Sequence, residues 1–237
     1  MTELLYQTDA TLRAFDATVV ATEGVRVELD RTAFYPTGGG QPHDLGWLEH
    51  GGQRATVSAV AREEARVWHT LPEHSLAAGA RVHGILDWER RHRLMRTHTA
   101  LHILSAIIWR DFGAPVTGGN MEPLRGRLDF ELDATPPDFA ARLEQALEAE
   151  VRAARPVQVQ LLPREEALQI PDLIRTKVNL LPADIQIIRT VHIVGLDLQA
   201  DGGTHVDNTR EIGVIRVVET KSKGKSFKRV RIEIEDV

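Results

Sequence analysis

In the first third of the chain, apolar and polar residues alternate in short runs, as they do in half-buried β-strands. Such runs occupy residues 17–30, 54–71 and 80–87. Residues 34–46, which separate the first two runs, are dense in Gly and Pro and therefore predict a loop. Many short strands joined by turn signals are typical of a small barrel or sandwich. The pattern therefore predicts a small N-terminal β-barrel over residues 1–87.

The pattern changes to a helical period at residue 88. Four apolar side chains recur at that period before the stop signal Gly113, and together they predict one long helix over 88–112: Leu94, Leu101, Leu104 and Ile108. Residues 113–126 follow as a predicted loop. A second helix is predicted over 135–151, with Thr135 as its cap and prolines in its first turn.

The rest of the chain alternates again. We expect a short helix over 164–171 and five strands: 127–132, 156–163, 185–199, 211–224 and 226–237, the last two joined by a turn at 221–226. Strands interleaved with helices predict an α+β fold, in which the barrel is followed by a two-layer α/β domain with an antiparallel sheet over residues 88–237.

The composition limits which side chains could bind a metal ion and which compartment is expected. The 237 residues carry a net charge of −5 and contain no cysteine, so any metal site must use His, Asp or Glu. The chain shows neither a signal peptide nor an apolar run long enough to span a bilayer, and we expect a cytoplasmic protein without membrane contact. Two basic stretches, 89–96 and 221–231, could hold phosphates, or they could be solvated faces.

Two pairs of residues carry candidate chemistry. His98 and His102 are one helical turn apart, so both imidazoles could reach one metal ion, or they could form an ordinary polar helix face. Zinc peptidases place a general-base glutamate directly after the first histidine of such a pair, but Thr99 stands there. Asp201 and His205 flank a Gly-Gly turn that could aim both at one point, but each is also a common loop residue.

"HTALH" at 98–102 together with "DGGTH" at 201–205 resembles a paired signature, HxxxH and CxxxH. The signature belongs to the editing domain shared by alanyl- and threonyl-tRNA synthetases and the freestanding AlaX family. Further matching blocks occur in the family's order: "FYPTGGGQPHDLG", "LDWERRHRLMRTHTALHILSA", "RLDFEL", "GLDLQADGGTHVDNTREIG" and "KGKSFKRVRIE". The Gly-rich block is typical of the medium-length AlaX class. We expect a trans-editing factor rather than a synthetase.

The resemblance implies hydrolysis of mischarged tRNA(Ala), chiefly of its seryl ester and also of its glycyl ester. It implies one zinc ion held by His98, His102 and His205, with Asp201 as the candidate fourth ligand. Asp201 stands where the family has cysteine, and carboxylate oxygen is a harder ligand than thiolate. Asp201 could ligate the metal itself, which we favour. It could instead leave its place to water, or the site could act on substrate without firmly held zinc.

The resemblance also places a substrate pocket at the Gly-rich loop. Gln41 is expected to contact substrate near Gly39 and Gly40, and Thr32 to offer its hydroxyl to the hydroxyl of serine. No side chain is assigned as a general acid or base, since a metal-bound or positioned water would suffice. The oligomeric state is not predicted.

Four arginines in 89–96 could hold acceptor-stem phosphates, or they could be buried and packed: Arg90, Arg91, Arg93 and Arg96. The alternative to an enzyme is a tRNA-binding module, or an editing-deficient relative in which Asp201 has replaced the metal-binding cysteine.

Overall fold

The computed structural model describes residues 2–176, 185–222, 224 and 226–236. The chain divides into two compact units, Met1–Arg93 (unit 1) and Leu94–Val237 (unit 2). The division falls inside the long helix, whereas the predicted boundary lies just before that helix begins. The predicted domain limits therefore stay a prediction. Within the described residues, no helix combines the length and the apolar character that crossing a membrane requires.

Unit 1 is built from β-strands. In chain order they are β1 (Glu3–Leu4), β2 (Ala14–Glu23), β3 (Arg26–Leu29), β4 (Arg31–Thr32), β5 (Gly46–His50), β6 (Gln53–Val57), β7 (Ala59–Glu63), β8 (Arg66–Thr70) and β9 (Arg81–Leu86). Seven of them form one sheet in the order β6-β5-β9-β2-β3-β8-β7, with all neighbours antiparallel. The inward positions of these strands, together with Phe34 from the loop after β4, form one apolar core that includes Val27, Leu29 and Val57.

The two outer strands of this sheet are consecutive in the chain, because only Ser58 separates β6 from β7. The long strand β2 is also shared, since residues 14–18 pair with β9 and residues 19–23 pair with β3. One half of the sheet is β6-β5-β9 and the other is β3-β8-β7. We propose that β2 and the short β6–β7 connection let these halves close on each other, as the sheet of a small barrel does. No pairing between β6 and β7 themselves occurs in the described residues of unit 1.

The long helix α1 spans Trp88–Phe112, so the predicted limits of this helix are confirmed. The side chain of Asp87 accepts a hydrogen bond from the backbone N–H of Arg90 at 3.1 Å, as an N-cap residue does. Gly113 follows the last turn with φ +62°, the left-handed conformation that commonly ends helices. The four apolar residues that predicted this helix are all buried.

In its described residues, unit 2 adds two sheets, two further α-helices and a 3-10 helix, Thr209–Ile212. Its elements after α1 are β10 (Val116–Glu122), β11 (Arg125–Glu131), α2 (Phe139–Arg152), β12 (Val157–Pro163), α3 (Arg164–Ala167), β13 (Ile187–Ile193), β14 (Asp197–Ala200), β15 (Ile215–Ser222) and β16 (Phe227–Ile234). One sheet has the order β10-β11-β16-β15 and the other the order β12-β13-β14, both antiparallel. The predicted turn at 221–226 lies partly outside the described residues.

Helix α1 packs closely against the four-stranded sheet. A Cβ atom placed on Gly126 would lie 2.9 Å from a methyl carbon of Leu101, so glycine is needed where the helix meets β11. The Thr97 hydroxyl accepts the backbone N–H of Leu124 at 2.8 Å beside this contact. These contacts fix the helix segment that carries both histidines.

Three predicted elements are wrong in detail. The loop predicted over 113–126 contains strand β10; its Gly119 allows close packing, because a Cβ there would lie 2.8 Å from Leu128. The single strand predicted over 185–199 is interrupted by a turn, where Gly195 has φ +76°. Thr135 does not cap α2, because residues that precede proline avoid helical geometry and the helix begins only at Phe139.

Candidate metal centre

Helix α1 supplies two of the four predicted ligands. His98 and His102 occupy the same face one turn apart, and their ring centroids are 5.1 Å apart. Each is only 8% exposed. The helical spacing read from the sequence therefore does bring the two imidazoles together.

The segment after β14 supplies the other two ligands. Asp201 begins a turn in which its Oδ2 atom accepts the backbone N–H of Gly203 at 2.6 Å. Its own N–H donates to the carbonyl of Arg189 on β13 at 3.1 Å, and Nη1 of Arg189 donates to the carbonyl of Asp201 at 2.9 Å. The turn is thus anchored to the sheet on both sides of its first residue, and it brings His205 to within 3.0 Å of the carboxylate.

All four predicted ligands converge in unit 2. One potential ligand atom from each of His98, His102, Asp201 and His205 lies within 4.8 Å of all the others. The Nε2 atoms of His98, His102 and His205 lie 3.6, 3.9 and 3.0 Å from the nearest carboxylate oxygen of Asp201. Ligands about 2.0–2.1 Å from a tetrahedral zinc ion are separated by about 3.3 Å. Three imidazoles and a carboxylate at these separations fit such an ion.

Two residues outside the cluster orient its histidines. Oδ2 of Asp197 lies 3.2 Å from Nδ1 of His102. The Thr99 hydroxyl donates to the Met95 carbonyl at 3.0 Å, so its oxygen accepts the Nδ1–H of His205 at 3.1 Å. When Nδ1 carries the hydrogen, the Nε2 lone pair is left for the cluster. Partners of this kind set the tautomer of metal-binding histidines.

The charges in the cluster follow from burial and proximity. Burial, together with the neighbouring ring of His102, lowers the pKa of His98 to about 4, and burial holds the pKa of His205 well below its ordinary value. Burial disfavours the charged form of Asp201, but the neighbouring histidines outweigh it and hold the pKa of the carboxyl well below its usual range. Burial also opposes protonation of His102, yet hydrogen bonds to Asp197 and Asp201 raise its pKa to about 9. Two neutral imidazoles therefore surround a carboxylate, and a metal ion would compete with the His102 proton.

The predicted substrate residues lie in unit 1. Gly39 and Gly40 form an exposed turn with φ +56° and +87°, closed by backbone hydrogen bonds between Gly38 and Gln41. Gln41 is 1% exposed. Both glycines occupy the left-handed region that favours glycine, which accounts for the Gly-rich sequence locally. Their contact with substrate stays a prediction.

Thr32 is buried, and its hydroxyl is already hydrogen-bonded. Its oxygen lies 2.8 Å from Nε2 of His69 and accepts the backbone N–H of Phe34 at 3.1 Å. Nδ1 of His69 faces the carbonyl of Val27 at 3.1 Å, so Nδ1 carries the hydrogen and Nε2 accepts from the Thr32 hydroxyl. One lone pair of the Thr32 oxygen remains, and it can only accept.

Two of the four helix arginines serve the fold rather than a ligand. Arg91 is fully buried and binds both carboxylate oxygens of Asp44. Arg96 is 6% exposed and donates to the backbone carbonyls of Ile212 and Glu235. For these two, the alternative of a buried, packed arginine is confirmed. Arg90 and Arg93 are half-buried, and their contact with phosphates stays a prediction.

The second basic stretch, 221–231, is partly neutralised. Arg229 forms a two-pronged ion pair with Asp129, at 2.6 and 2.7 Å, across neighbouring strands. Arg231 binds Glu219 at 3.0 Å. Asp129 is therefore a structural bridge between β11 and β16.

Three further residues of the site are not predicted from the sequence: Thr99, Asp197 and Arg189. The sequence shows Thr99 only as the residue at the position of a peptidase glutamate. Asp197 begins strand β14, four positions before Asp201, and this spacing is the available signal in the sequence. Nothing in the local sequence pattern of Arg189 points to the turn of Asp201, because the contact crosses between paired strands.

Comparisons with known proteins match both units. A family model described as the threonyl and alanyl tRNA synthetase second additional domain matches residues 188–231, which include Asp201 and His205. A second model, tRNA synthetases class II (A), matches residues 7–90. The alanyl-tRNA editing protein AlaX-M of Saccharolobus solfataricus is 42% identical over 97% of this chain and 98% of its own. The chain belongs to the alanyl-tRNA editing protein family.

Other relatives agree with this assignment. The AlaX-M protein of Methanosarcina acetivorans is 38% identical, and the alignment covers the full length of both chains. The alanine–tRNA ligase of Thermoplasma acidophilum is 35% identical over 97% of this chain, which is only 26% of the ligase. Similarity to the ligase therefore concerns one part of it, whereas the AlaX-M proteins match from end to end.

Proposed function

We propose that the chain hydrolyses mischarged tRNA(Ala), chiefly its seryl ester and secondarily its glycyl ester, to free amino acid and tRNA. As a member of the alanyl-tRNA editing protein family, it is an enzyme, an aminoacyl-tRNA deacylase. The observation that carries the finer proposal is the convergence of His98, His102, Asp201 and His205 within 4.8 Å. Its partner is therefore a tRNA that carries the wrong amino acid.

We propose zinc as the ion of this cluster, held by the three imidazoles and the Asp201 carboxylate. Bound there, zinc would act as a Lewis acid toward oxygen atoms of the substrate or of water. Burial keeps His98 and His205 neutral and hence able to ligate. Asp197 and Thr99 keep two of the rings aimed at the centre. The anionic Asp201 supplies the negative charge that a thiolate would otherwise supply.

The hydrolysis needs few catalytic groups beyond this cluster. An aminoacyl ester is already labile, so positioning of the carbonyl and of one water molecule accounts for much of the catalysis. Water adds its oxygen to the acyl carbon, the bond from that carbon to the ribose oxygen breaks, and the ribose hydroxyl regains a proton. The low exposure of the histidines favours this role, because polar groups act more strongly in a site with little bulk water.

Selection of serine over alanine is proposed to rest on Thr32 and Gln41. Because the Thr32 hydroxyl donates to His69, its remaining lone pair suits a substrate group that donates, such as the hydroxyl of serine. Alanine has no such donor and would leave the pocket's polar groups unpaired. The correct product would thus be spared.

The first test is deacylation of Ser-tRNA(Ala) and Ala-tRNA(Ala) by the purified protein. We expect loss of the seryl ester well above the spontaneous rate while the alanyl ester persists. Asp201→Asn keeps the side-chain shape but removes the charge, and it should lower the rate about 100-fold. The control Asp138→Asn removes a carboxylate that forms only an exposed ion pair and should leave the rate unchanged.

Two results would contradict the proposal in different ways. If neither ester were cleaved and tRNA still bound, the chain would be a tRNA-binding module in which Asp201 marks a repurposed site. If Asp201→Asn cleaved the seryl ester as fast as the unaltered protein, hydrolysis would take place without the cluster.

A further inference from the structure

Behind the four candidate ligands lies a buried carboxylate that contacts one of them. Asp197 is the first residue of β14, and its side chain is fully buried. Its Oδ2 atom accepts from Nε2 of Gln199 at 2.7 Å and faces Nδ1 of His102 at 3.2 Å. Its Oδ1 atom accepts from Nη1 of Arg175 at 2.5 Å. A chain of contacts therefore runs from the cluster through His102 and Asp197 to a guanidinium.

The backbone around Arg175 is held between the two sheets of unit 2. The carbonyl of Arg175 accepts the N–H of Val116 on β10 at 3.1 Å, and the carbonyl of Leu173 accepts the N–H of Ala200 on β14 at 3.0 Å. Leu173 is 3% exposed and packs in one apolar cluster with Ile188 of β13. Arg175 thus starts from a fixed backbone, which a side chain needs if it is to fix the position of another group.

We propose that Arg175 is a positioning residue of the metal centre, and that it acts through Asp197 on the imidazole of His102. The inference rests on the proposed function, since the ion that Arg175 would serve is the zinc ion proposed there. A carboxylate removed from water is held in place by a cation, and a guanidinium keeps its charge throughout the range in which proteins fold. The carboxylate that Arg175 holds accepts the Nδ1–H of His102, so the Nε2 lone pair is left for the cluster.

The two oxygens of Asp197 have different partners, which distinguishes positioning from an ordinary ion pair. One oxygen binds the guanidinium and the other faces the ring, so the place of the cation determines where the second oxygen meets His102. Loss of the guanidinium would leave the buried carboxylate without its cation, and we expect it to turn away from the ring. Hydrogen bonds of this kind, made to the outer nitrogen of a metal-binding histidine, tune metal affinity.

Arg155 provides a matched ion pair elsewhere in unit 2. Its Nε atom donates to Glu150 at 2.5 Å, and the Glu150 side chain is 12% exposed. Its Nη1 atom donates to the carbonyl of Val194 at 3.1 Å. Neither partner belongs to the cluster or contacts Asp197 in the part of the chain that the structure describes. Arg155→Met therefore removes an ion pair of unit 2 without altering the metal centre.

The test is zinc affinity, measured by competition with a chelator in the absence of tRNA. Arg175→Met removes the charge but keeps an unbranched side chain, and we expect the affinity to fall about 10–100-fold. Arg175→Lys should retain the affinity to within about threefold, because a single nitrogen of Arg175 contacts the carboxylate and an ammonium group can replace it. Arg155→Met should leave the affinity unchanged.

The spectrum of the protein loaded with cobalt(II) reports on the ligands themselves. Cobalt accepts the same donor set as zinc, and its visible absorption is strong in a four-coordinate site and weak in a six-coordinate one. We expect Arg175→Met to weaken the visible bands and Arg175→Lys to keep them. Should Arg175→Met fail to fold, Arg175→Gln takes its place, because it also lacks the charge but can still donate a hydrogen bond. It should lower zinc affinity and weaken the bands in the same way.

A double-substitution cycle shows whether Arg175 acts through Asp197. Asp197→Asn removes the charge that Arg175 binds, so Arg175→Met should lower zinc affinity much less in that background than alone. Equal losses in both backgrounds would overturn the proposal, as would unchanged zinc affinity and cobalt bands in Arg175→Met. A comparable loss in Arg155→Met would overturn it too, since any broken ion pair in unit 2 would then suffice.

The positioning role and the deacylase can fail separately, because zinc affinity is measured without tRNA. If Arg175→Met loses zinc as expected but the unaltered protein cleaves no seryl ester, the positioning role stands and the deacylase falls. If the unaltered protein cleaves Ser-tRNA(Ala) while its zinc affinity does not respond to Arg175→Met, the deacylase stands and the positioning role is wrong. An unaltered protein that binds no zinc overturns the positioning role outright.

Discussion

Thr99 stands between the two histidines of the long helix, at the position where a zinc peptidase needs its glutamate. Its hydroxyl donates within the helix to Met95 and accepts from His205 and from the backbone N–H of Val206. One small side chain therefore links the helix to the turn that carries the fourth ligand. Asp197 likewise links β14 to the helix, because its carboxylate faces Nδ1 of His102. The residues next to the ligands thus decide which nitrogen of each ring faces the centre.

Thr99→Val keeps the shape of the side chain but removes the acceptor for the Nδ1–H of His205. We expect zinc affinity to fall about 10–100-fold, because the ring loses the partner that fixes its orientation. Competition with a coloured chelator measures the affinity. Thr99→Ser retains the hydroxyl and should bind zinc nearly as tightly as the unaltered protein. Equal affinities in all three proteins would mean that His205 needs no partner.

At the scale of elements, the Gly-rich segment 34–46 is held to the first turns of α1 by one buried ion pair. Arg91 donates through Nε to both oxygens of Asp44 at 3.0 Å, and the same carboxylate accepts the backbone N–H of Tyr35 at 2.6 Å. Nη2 of Arg91 also reaches the carbonyl of Ala33. Both side chains are fully buried, so neither charge has access to water in place of its partner.

Arg91→Met should destabilise unit 1 by about 3–5 kcal/mol, because it leaves the Asp44 carboxylate buried without its cation. Urea unfolding followed by tryptophan fluorescence measures the change. Arg93→Met is the control: Arg93 pairs with Glu89 at the surface, and its loss should cost less than about 1 kcal/mol. The double change Arg91→Met with Asp44→Leu should be less destabilising than Arg91→Met alone. If the double variant were the less stable of the two, the unpaired buried charge would not be the cause of the destabilisation.

The elements that the sequence predicted well are those with a long, regular apolar period. Helix α1 shows this, because its stripe and its glycine stop both act locally. Strand β10 could not be predicted, since its Gly119 serves close packing against Leu128 of β11, which only the fold reveals. At the site, the four residues of the cluster followed from spacing and resemblance. Asp197 and Thr99 did not, because their roles depend on contacts between elements distant in sequence.

For the molecule as a whole, we expect stability in acid to depend on a histidine that is remote in sequence from the predicted metal ligands. His69 is fully buried in unit 1, and burial lowers its pKa to about 4 despite a hydrogen bond to the carbonyl of Val27. In the unfolded chain its pKa is about 6.5. Between these values the unfolded state binds more protons than the folded state, so acidification favours unfolding.

The unfolding free energy of unit 1 should therefore fall by about 2–3 kcal/mol through His69 between about pH 7.5 and about pH 4.5. Fluorescence-detected urea unfolding at both pH values measures it, and the buried Trp68 beside His69 reports on this unit. His69→Gln cannot titrate, so it should lose correspondingly less stability than the unaltered protein over the same interval. A loss of the same size in both proteins would assign the acid sensitivity to other groups.

Asp201 has one more consequence, and it concerns oxidation. Thiolates are the groups that peroxide converts to sulfenic and higher acids, and a cysteine ligand oxidised in this way no longer binds metal. This chain has no cysteine at all, and its cluster is made of imidazoles and one carboxylate. None of these groups lies on the cysteine oxidation pathway. A metal ion held by this cluster would therefore keep its ligands under oxidising conditions that would remove a sulfur ligand.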